Sequence, residues 1–150
     1  MGYQPEFIIA GRKINNDMTK YVAQQLVNAL SKKKIKIENS KVLILGFTFK
    51  ADCPDIRNTK VIDLVNELKM YGADVDVSDH WADPQEVKKD FDIDLLLSPN
   101  KNQYDAIVIA VDHNDYKKWG SKFIRKFAKE NHVLYDIKYV LDKKESDIRL

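Results

Sequence analysis

The segment KVLILGFTFKADCPDIRNTKVIDLVNELKMYG, Lys41 to Gly72, decides the fold. It opens on an unbroken apolar run, Val42 to Phe47, bounded by polar residues and built from the residue types of a buried strand. It closes on a helical pattern from Asn58, with Val61, Leu64, Val65 and Leu68 on one face and Gly72 as the C-terminal stop. A buried strand followed by an amphipathic helix is half of a βαβ unit, and the alternation continues downstream. ADVDVSD (73–79) is a short alternating strand, and DPQEVKKDF (83–91) begins with a proline near a helix N-terminus. YDAIVIAVD (104–112) is a second fully apolar strand. YKKWGSKFIRKFAKE (116–130) reads as a helix weakened near its start by Gly120, and HVLYDIK (132–138) as a further strand. Continuous apolar strands separated by helices predict a parallel sheet covered on both faces, an α/β Rossmann-like fold of three layers.

Upstream, SKKKIKIENS (31–40) is a polar, lysine-rich connector. Ahead of it Ile14, Met18, Tyr21, Val22, Gln25, Leu26, Ala29 and Leu30 follow helical spacing. Asn15 or Asn16 would cap this long amphipathic helix, with Asp17 placed against its N-terminal dipole. Its apolar stripe must pack on the body, on a second copy, or on residues outside these 150. The expected division is therefore a helical piece, 1–36, and a Rossmann-like domain, 37–150.

Composition narrows the function. Twenty-five basic and 23 acidic side chains leave a formal net charge of +2, so neither nucleic acid nor an anionic membrane is expected as a main partner. The single cysteine, Cys53, excludes a disulfide framework within the chain and a cysteine zinc cluster, and suits a reducing cytoplasm. The longest apolar runs reach about half of a bilayer crossing and the N-terminus has no signal-peptide core, so a soluble protein is expected.

In parallel α/β sheets ligands bind beyond the carboxyl ends of the strands. That rule selects Phe49, Lys50 and Arg57 after the first strand of the body, Asp79 and His80 after the second, Asp112 and His113 after the third, and Lys138 after the last. Lys50, Arg57 and Lys138, with a helix N-terminus, would together suit a diphosphate or another polyanion. Each also has an ordinary reading. Lysines at strand ends are commonly just solvated, and Arg57 can pair with Asp55 or Asp52. Asp79 and His80 can cap the following helix. His113, beside Asp112 and Asp115, has the composition of a general base but no visible nucleophile to serve. Trp81 and Trp119 read as packing residues. Gly46 is a lone glycine where a dinucleotide fingerprint needs three, and no P-loop is present. Residue chemistry alone thus reaches a Rossmann-like domain for an anionic, nucleotide-like ligand.

The stretch LGFTFKADCPDIRNTKVIDLVNELKMYGADVDVSDHWADPQEV also resembles the C-terminal domain of the UDP-glucose/GDP-mannose dehydrogenase family. Its FKADCPDIRNTK wording is most similar to the branch acting on UDP-N-acetylhexosamines, such as the enzymes of Vi-antigen and O-antigen synthesis. The likeness extends to GYQPEFIIAGRKINNDMTKYVA, to DAIVIAVDHNDY and to YDIK, and so covers nearly the whole chain. It implies NAD-dependent oxidation of a sugar C6 alcohol to a carboxylate in two steps, through a thiohemiacetal on a catalytic cysteine, for surface polysaccharides such as capsule and O-antigen. It further implies that the NAD-binding domain and the motif holding that cysteine lie upstream, so that this stretch is the UDP-sugar-binding part and inactive alone. Cys53, tempting as a thiolate beside Lys50 and Arg57, then has no catalytic role. By the same resemblance Phe49, Lys50 and, on a shorter match, Lys138 contact the UDP-sugar, while Arg57 reaches across to NAD. The N-terminal helix would form a homodimer seam with Ile14, Met18, Tyr21, Val22 and Leu26. A UDP-glucose 6-dehydrogenase and a stand-alone nucleotide-binding regulatory module are the alternatives.

Overall fold

The computed structural model describes residues 3–150, with side chains from Asp17 onward. Helix α1 (Tyr3–Lys32) leads into β1 (Lys41–Leu45), α2 (Val61–Met70), β2 (Asp74–Ser78), α3 (Pro84–Phe91), β3 (Tyr104–Ile109), α4 (Asn114–Arg125), β4 (Ala128–Asp136) and β5 (Ile148–Arg149). A 3₁₀ turn at Lys143–Glu145 precedes β5. The five strands form one sheet in the order β2-β1-β3-β4-β5, parallel throughout. The expected α/β fold is therefore present.

Alternation along each strand sends side chains into two cores. Val42, Ile44, Ala106, Val108, Val133 and Tyr135 join Val22, Leu26 and Leu30 of α1 and Val61, Leu64, Val65 and Leu68 of α2. Leu43, Leu45, Ile107, Ile109 and Leu134 join Tyr116 and Ile124 of α4. Both faces are covered over β1, β3 and the second half of β4, which is why those stretches read as nearly continuous apolar runs. Of the three places the α1 stripe had to go, the body takes it: Val22, Ala23, Leu26 and Leu30 are at most 5% exposed. Burying each leucine is worth about 1.5–3 kcal/mol over leaving it in water.

Four expectations are corrected. α1 begins at Tyr3, so Asn15 and Asn16 lie inside it rather than at its cap. Val22 and Leu26 are consumed by the chain's own core and are not free for a seam, whereas Met18 and Tyr21 stay exposed; Ile14 lies outside the residues whose side chains are described. Ala128–Glu130 open β4 instead of extending α4, because Ala128 pairs with Tyr104 and Phe127 O accepts the N–H groups of Gln103 and Tyr104. α4 itself is broken at Gly120, where φ is 73°. Finally, α3 is capped by Asp83, which accepts the Gln85 N–H at 2.9 Å, and not by Asp79 or His80.

Register sets up the functional edge. Leu45 stands opposite Ser78 on one side and Ile109 on the other, and Ile109 opposite Asp136. Four strands thus end level, and the residues following them share one rim.

Candidate functional site

At that rim β1 and β3 are neighbours whose connections leave in opposite directions, so the loops part and a crevice opens at the switch point. Its volume is about 370 Å³, within the ~300–1,000 Å³ typical of small-ligand sites. Thr48, Phe49 and Lys50 after β1, Ala110 to Asp112 after β3, and Ile137 and Lys138 after β4 form its walls. Lys60, Val61 and Leu64 from the start of α2, Met18, Thr19 and Val22 from α1, and Leu150 complete it.

Local chemistry explains why those loops take their shapes. Asp136 is fully buried and accepts the N–H groups of Val140 at 3.1 Å and Leu141 at 2.8 Å, which curls the chain after β4 and leaves Lys138 at the crevice. Thr59 Oγ1 accepts the Val61 N–H at 3.1 Å, satisfying one free donor at the start of α2 beside Lys60. Farther along, Asp147 fastens the C-terminal segment: it accepts Leu134 N–H at 2.7 Å and Arg125 Nη1 at 3.2 Å, and lies 3.6 Å from Lys33 Nζ. Burial pushes the Asp147 carboxyl up, but these donors outweigh it and hold its pKa below the ordinary aspartate value.

The crevice is cationic. Lys50, Lys60 and Lys138 line it against one acidic side chain, Asp112, and among the described residues none of the three lysines has a salt bridge. A polyanion in such a hollow would meet each ammonium group as a charge-assisted hydrogen-bond donor. The strand-end rule does not single out Lys60. The signal for it is nonetheless in the sequence, because it directly precedes the first turn of the helix that follows the first strand.

Arg57 is placed elsewhere, so the three cations expected together do not converge. Asp55 holds it locally, accepting Arg57 N–H at 2.9 Å and Nε at 3.1 Å. The side-chain hydrogen bond with Arg57 lowers the Asp55 pKa and raises that of Arg57. Arg57 and the half-buried Cys53 line a second, open depression of about 770 Å³ with Trp81, Glu86 and Lys89. The β1–α2 loop does not fit a dinucleotide by itself. Gly46, its one glycine, turns toward Val111, whose Cβ would lie 2.6 Å from any Cβ placed there.

Behind the crevice lies a buried polar cluster that sequence reasoning did not assemble. Asp79 is wholly buried and His113 is 1% exposed. Asp79 Oδ2 accepts Phe47 N–H at 2.6 Å and Thr48 N–H at 3.1 Å and lies 2.9 Å from His113 Nε2; Oδ1 accepts Trp81 N–H at 2.7 Å. Burial pushes the Asp79 carboxyl up, yet the bonds from His113, Phe47 and Trp81 keep its pKa below the ordinary value. Among the described residues the hydroxyl placed near His113 is Thr48 Oγ1, which is 3.2 Å from Nε2 and donates to Lys50 O at 3.0 Å. Trp81 stacks on His113 at 6.1 Å while staying 40% exposed, and Trp119 packs between Tyr116 and Phe123. Among the described residues no group of His, Cys, Asp and Glu is placed to hold a metal, and no helix is long and apolar enough to cross a membrane.

Fold and crevice together define a doubly wound α/β domain with a lysine-lined hollow at its switch point. Residues 43–143 match the UDP binding domain of the UDP-glucose/GDP-mannose dehydrogenase family, and the chain belongs to that family. It is 51% identical over 150 residues to a UDP-N-acetyl-D-glucosamine 6-dehydrogenase of Salmonella typhi, and 46% identical over 150 residues to one of Pseudomonas aeruginosa. Those alignments take in 100% of this chain but 35% and 36% of the relatives, so the chain spans about a third of the length of the curated proteins it matches. Among solved structures, an NDP-N-acetyl-D-galactosaminuronic acid dehydrogenase from Methanosarcina mazei Go1 superposes with a TM-score of 0.72 at 26% identity, covering 91% of this chain and 28% of that one.

Proposed function

We propose that this chain is the UDP-sugar-binding part of an NAD-dependent UDP-N-acetylhexosamine 6-dehydrogenase that serves surface-polysaccharide synthesis in the cytoplasm. The observation that carries the reading is the crevice, where Lys50, Lys60 and Lys138 have no salt-bridge partner among the described residues, in a domain of the UDP-binding family. Each ammonium group can meet the diphosphate as a charge-assisted donor. Phe49, 51% exposed at the mouth, offers an apolar face to the nucleotide sugar. Binding energy collected at the diphosphate lies far from C6, so these residues orient the sugar and leave the oxidation to the longer protein.

NAD belongs to that longer protein in this proposal. Arg57, 84% exposed at its side chain, is the residue available to reach it. The division into a connecting helix, 1–36, and a UDP-sugar-binding domain, 37–150, is part of the same reading. So is a homodimer through α1, for which Met18 and Tyr21 are the exposed apolar side chains described. Sedimentation as a monomer at high micromolar concentration would remove the dimer.

Calorimetric titration with UDP tests the core of the proposal. Lys50→Ala and Lys138→Ala should each weaken binding about tenfold or more, about 1.4 kcal/mol, and Arg57→Ala should leave it unchanged. Unaltered affinity in the Lys50→Ala, Lys138→Ala double variant would place the nucleotide elsewhere. Mixed with NAD and UDP-N-acetylglucosamine, the chain alone should produce no NADH.

A further inference from the structure

Asp79 and His113 are buried ionisable groups that do not line the crevice, yet every N–H they hold lies beyond the last paired residue of a strand. A buried carboxylate is unfavourable unless its lone pairs are used, and four donors use those of Asp79. His113 faces the opposite demand on its two nitrogens. Nδ1 accepts the Asp52 N–H at 2.9 Å, which places the ring proton on Nε2, where it meets Asp79 at 2.9 Å. Phe47, Thr48 and Asp52 are thereby held at both ends of a short loop whose middle is Phe49 and Lys50. Two further contacts tighten it. Thr48 Oγ1 donates to Lys50 O, and the Asp52 carboxylate accepts Asn114 N–H at 3.0 Å at the start of α4. Asp52 itself sits at φ 54°, a conformation that a non-glycine residue keeps only with outside support.

We propose that Asp79 and His113 are positioning residues, which lock the 47–52 loop in the shape that presents Lys50 to the crevice and so set the affinity for a nucleoside diphosphate. The inference rests on the proposed function of the crevice. Its physical content is preorganisation: a lysine on a loop already ordered by buried bonds binds without having to order that loop first.

A double-mutant cycle on the chain with UDP as the probe distinguishes this role from simple core stability. His113→Ala should weaken UDP about tenfold, and should cost nothing further once Lys50 is alanine, because the histidine acts through that lysine. Wild-type affinity in His113→Ala, or effects that simply add, would overturn the proposal. If His113→Ala shows no cooperative melt, His113→Gln takes its place in the cycle, and the same results support or overturn the clamp. Its amide can still donate to Asp79 but leaves the Asp52 N–H without the Nδ1 acceptor. A ligand-free arm separates this inference from the reading beneath it. In the ligand-free chain, Asp52 N–H should exchange faster in the variant while the amides of β1 and β3 stay protected; equal exchange at Asp52 sinks the clamp. Absence of UDP binding by the unmodified chain would sink the crevice reading instead, and the exchange result would still decide for or against the clamp.

Discussion

Replacing Gly46 with alanine tests the close approach on which the crevice depends. Gly46 directly follows β1 at φ 99°, with its N–H donated to Ser78 O at 2.8 Å. An L-residue in the left-handed region costs about 1–2 kcal/mol. The added methyl would also lie 2.6 Å from Val111 Cβ, 2.9 Å from Val111 Cγ2 and 2.9 Å from Val111 N. The last of these is backbone, so no rotamer change relieves it, and the β3–α4 connection must move. Overpacking of that kind adds about 1–3 kcal/mol. The sum, about 2–5 kcal/mol, is a large share of the ~5–15 kcal/mol that holds a domain together. Gly120 supplies an internal control. Its φ of 73° is also positive, but a Cβ there meets nothing within 4 Å, so Gly120→Ala carries the backbone strain of about 1–3 kcal/mol and no clash. Urea unfolding followed by circular dichroism, compared at equal m-values, gives both numbers. Gly46→Ala should be the more destabilised of the two, and its UDP affinity should fall because Val111 leads directly to Asp112 and His113. Equal midpoints for the two variants would refute the close-approach argument.

Lys60→Ala should weaken UDP and make the remaining binding less sensitive to salt, since one of three crevice cations is gone; an unchanged salt slope would remove Lys60 from the site. Leu26→Ala, at a position 1% exposed, should cost about 2–5 kcal/mol. Tyr21→Ala, 53% exposed on the same helix, should stay within about 0.5 kcal/mol in the monomer. Comparable losses for the two would mean that α1 does not pack as described. Acid stability follows from Asp79 and Asp147, whose folded pKa values lie below the ordinary aspartate value of 3.8. A depressed pKa contributes stability that is complete above the unfolded value and is lost as pH falls through the folded one, so the urea midpoint should drop below about pH 4. Asp147→Asn should flatten that drop, and an acid limb as steep as in the unsubstituted chain would exclude Asp147 as a contributor.

The family match and the crevice bear on each other. A UDP-binding domain needs somewhere to neutralise a diphosphate, and the rim of this sheet gathers three ammonium groups at the switch point. The guanidinium that a linear reading groups with them is turned aside by Asp55, two residues away. Arg57 is thereby left in the second depression, its side chain 84% exposed.

By itself the sequence determined the fold class, because burial on both faces of a parallel sheet shows as continuous apolar runs, and the intervening helices show as a 3.6-residue period. Both are local signals. FKADCPDIRNTK likewise carried the family, and Phe49, Lys50 and Lys138 were legible as crevice residues from the strand-end rule alone. Tertiary structure decided what depends on register and on distant partners. Ala128–Glu130 carry a helical pattern, yet pairing with Tyr104 makes them strand. Val22 and Leu26 look like a free seam until α2 and the sheet close over them. Lys60 joins the crevice and Arg57 leaves it because Thr59 and Asp55 turn the loop two ways within a few residues. Asp79 and His113, 34 residues apart, meet only because β1, β2 and β3 end level, and no spacing along the chain encodes that alignment.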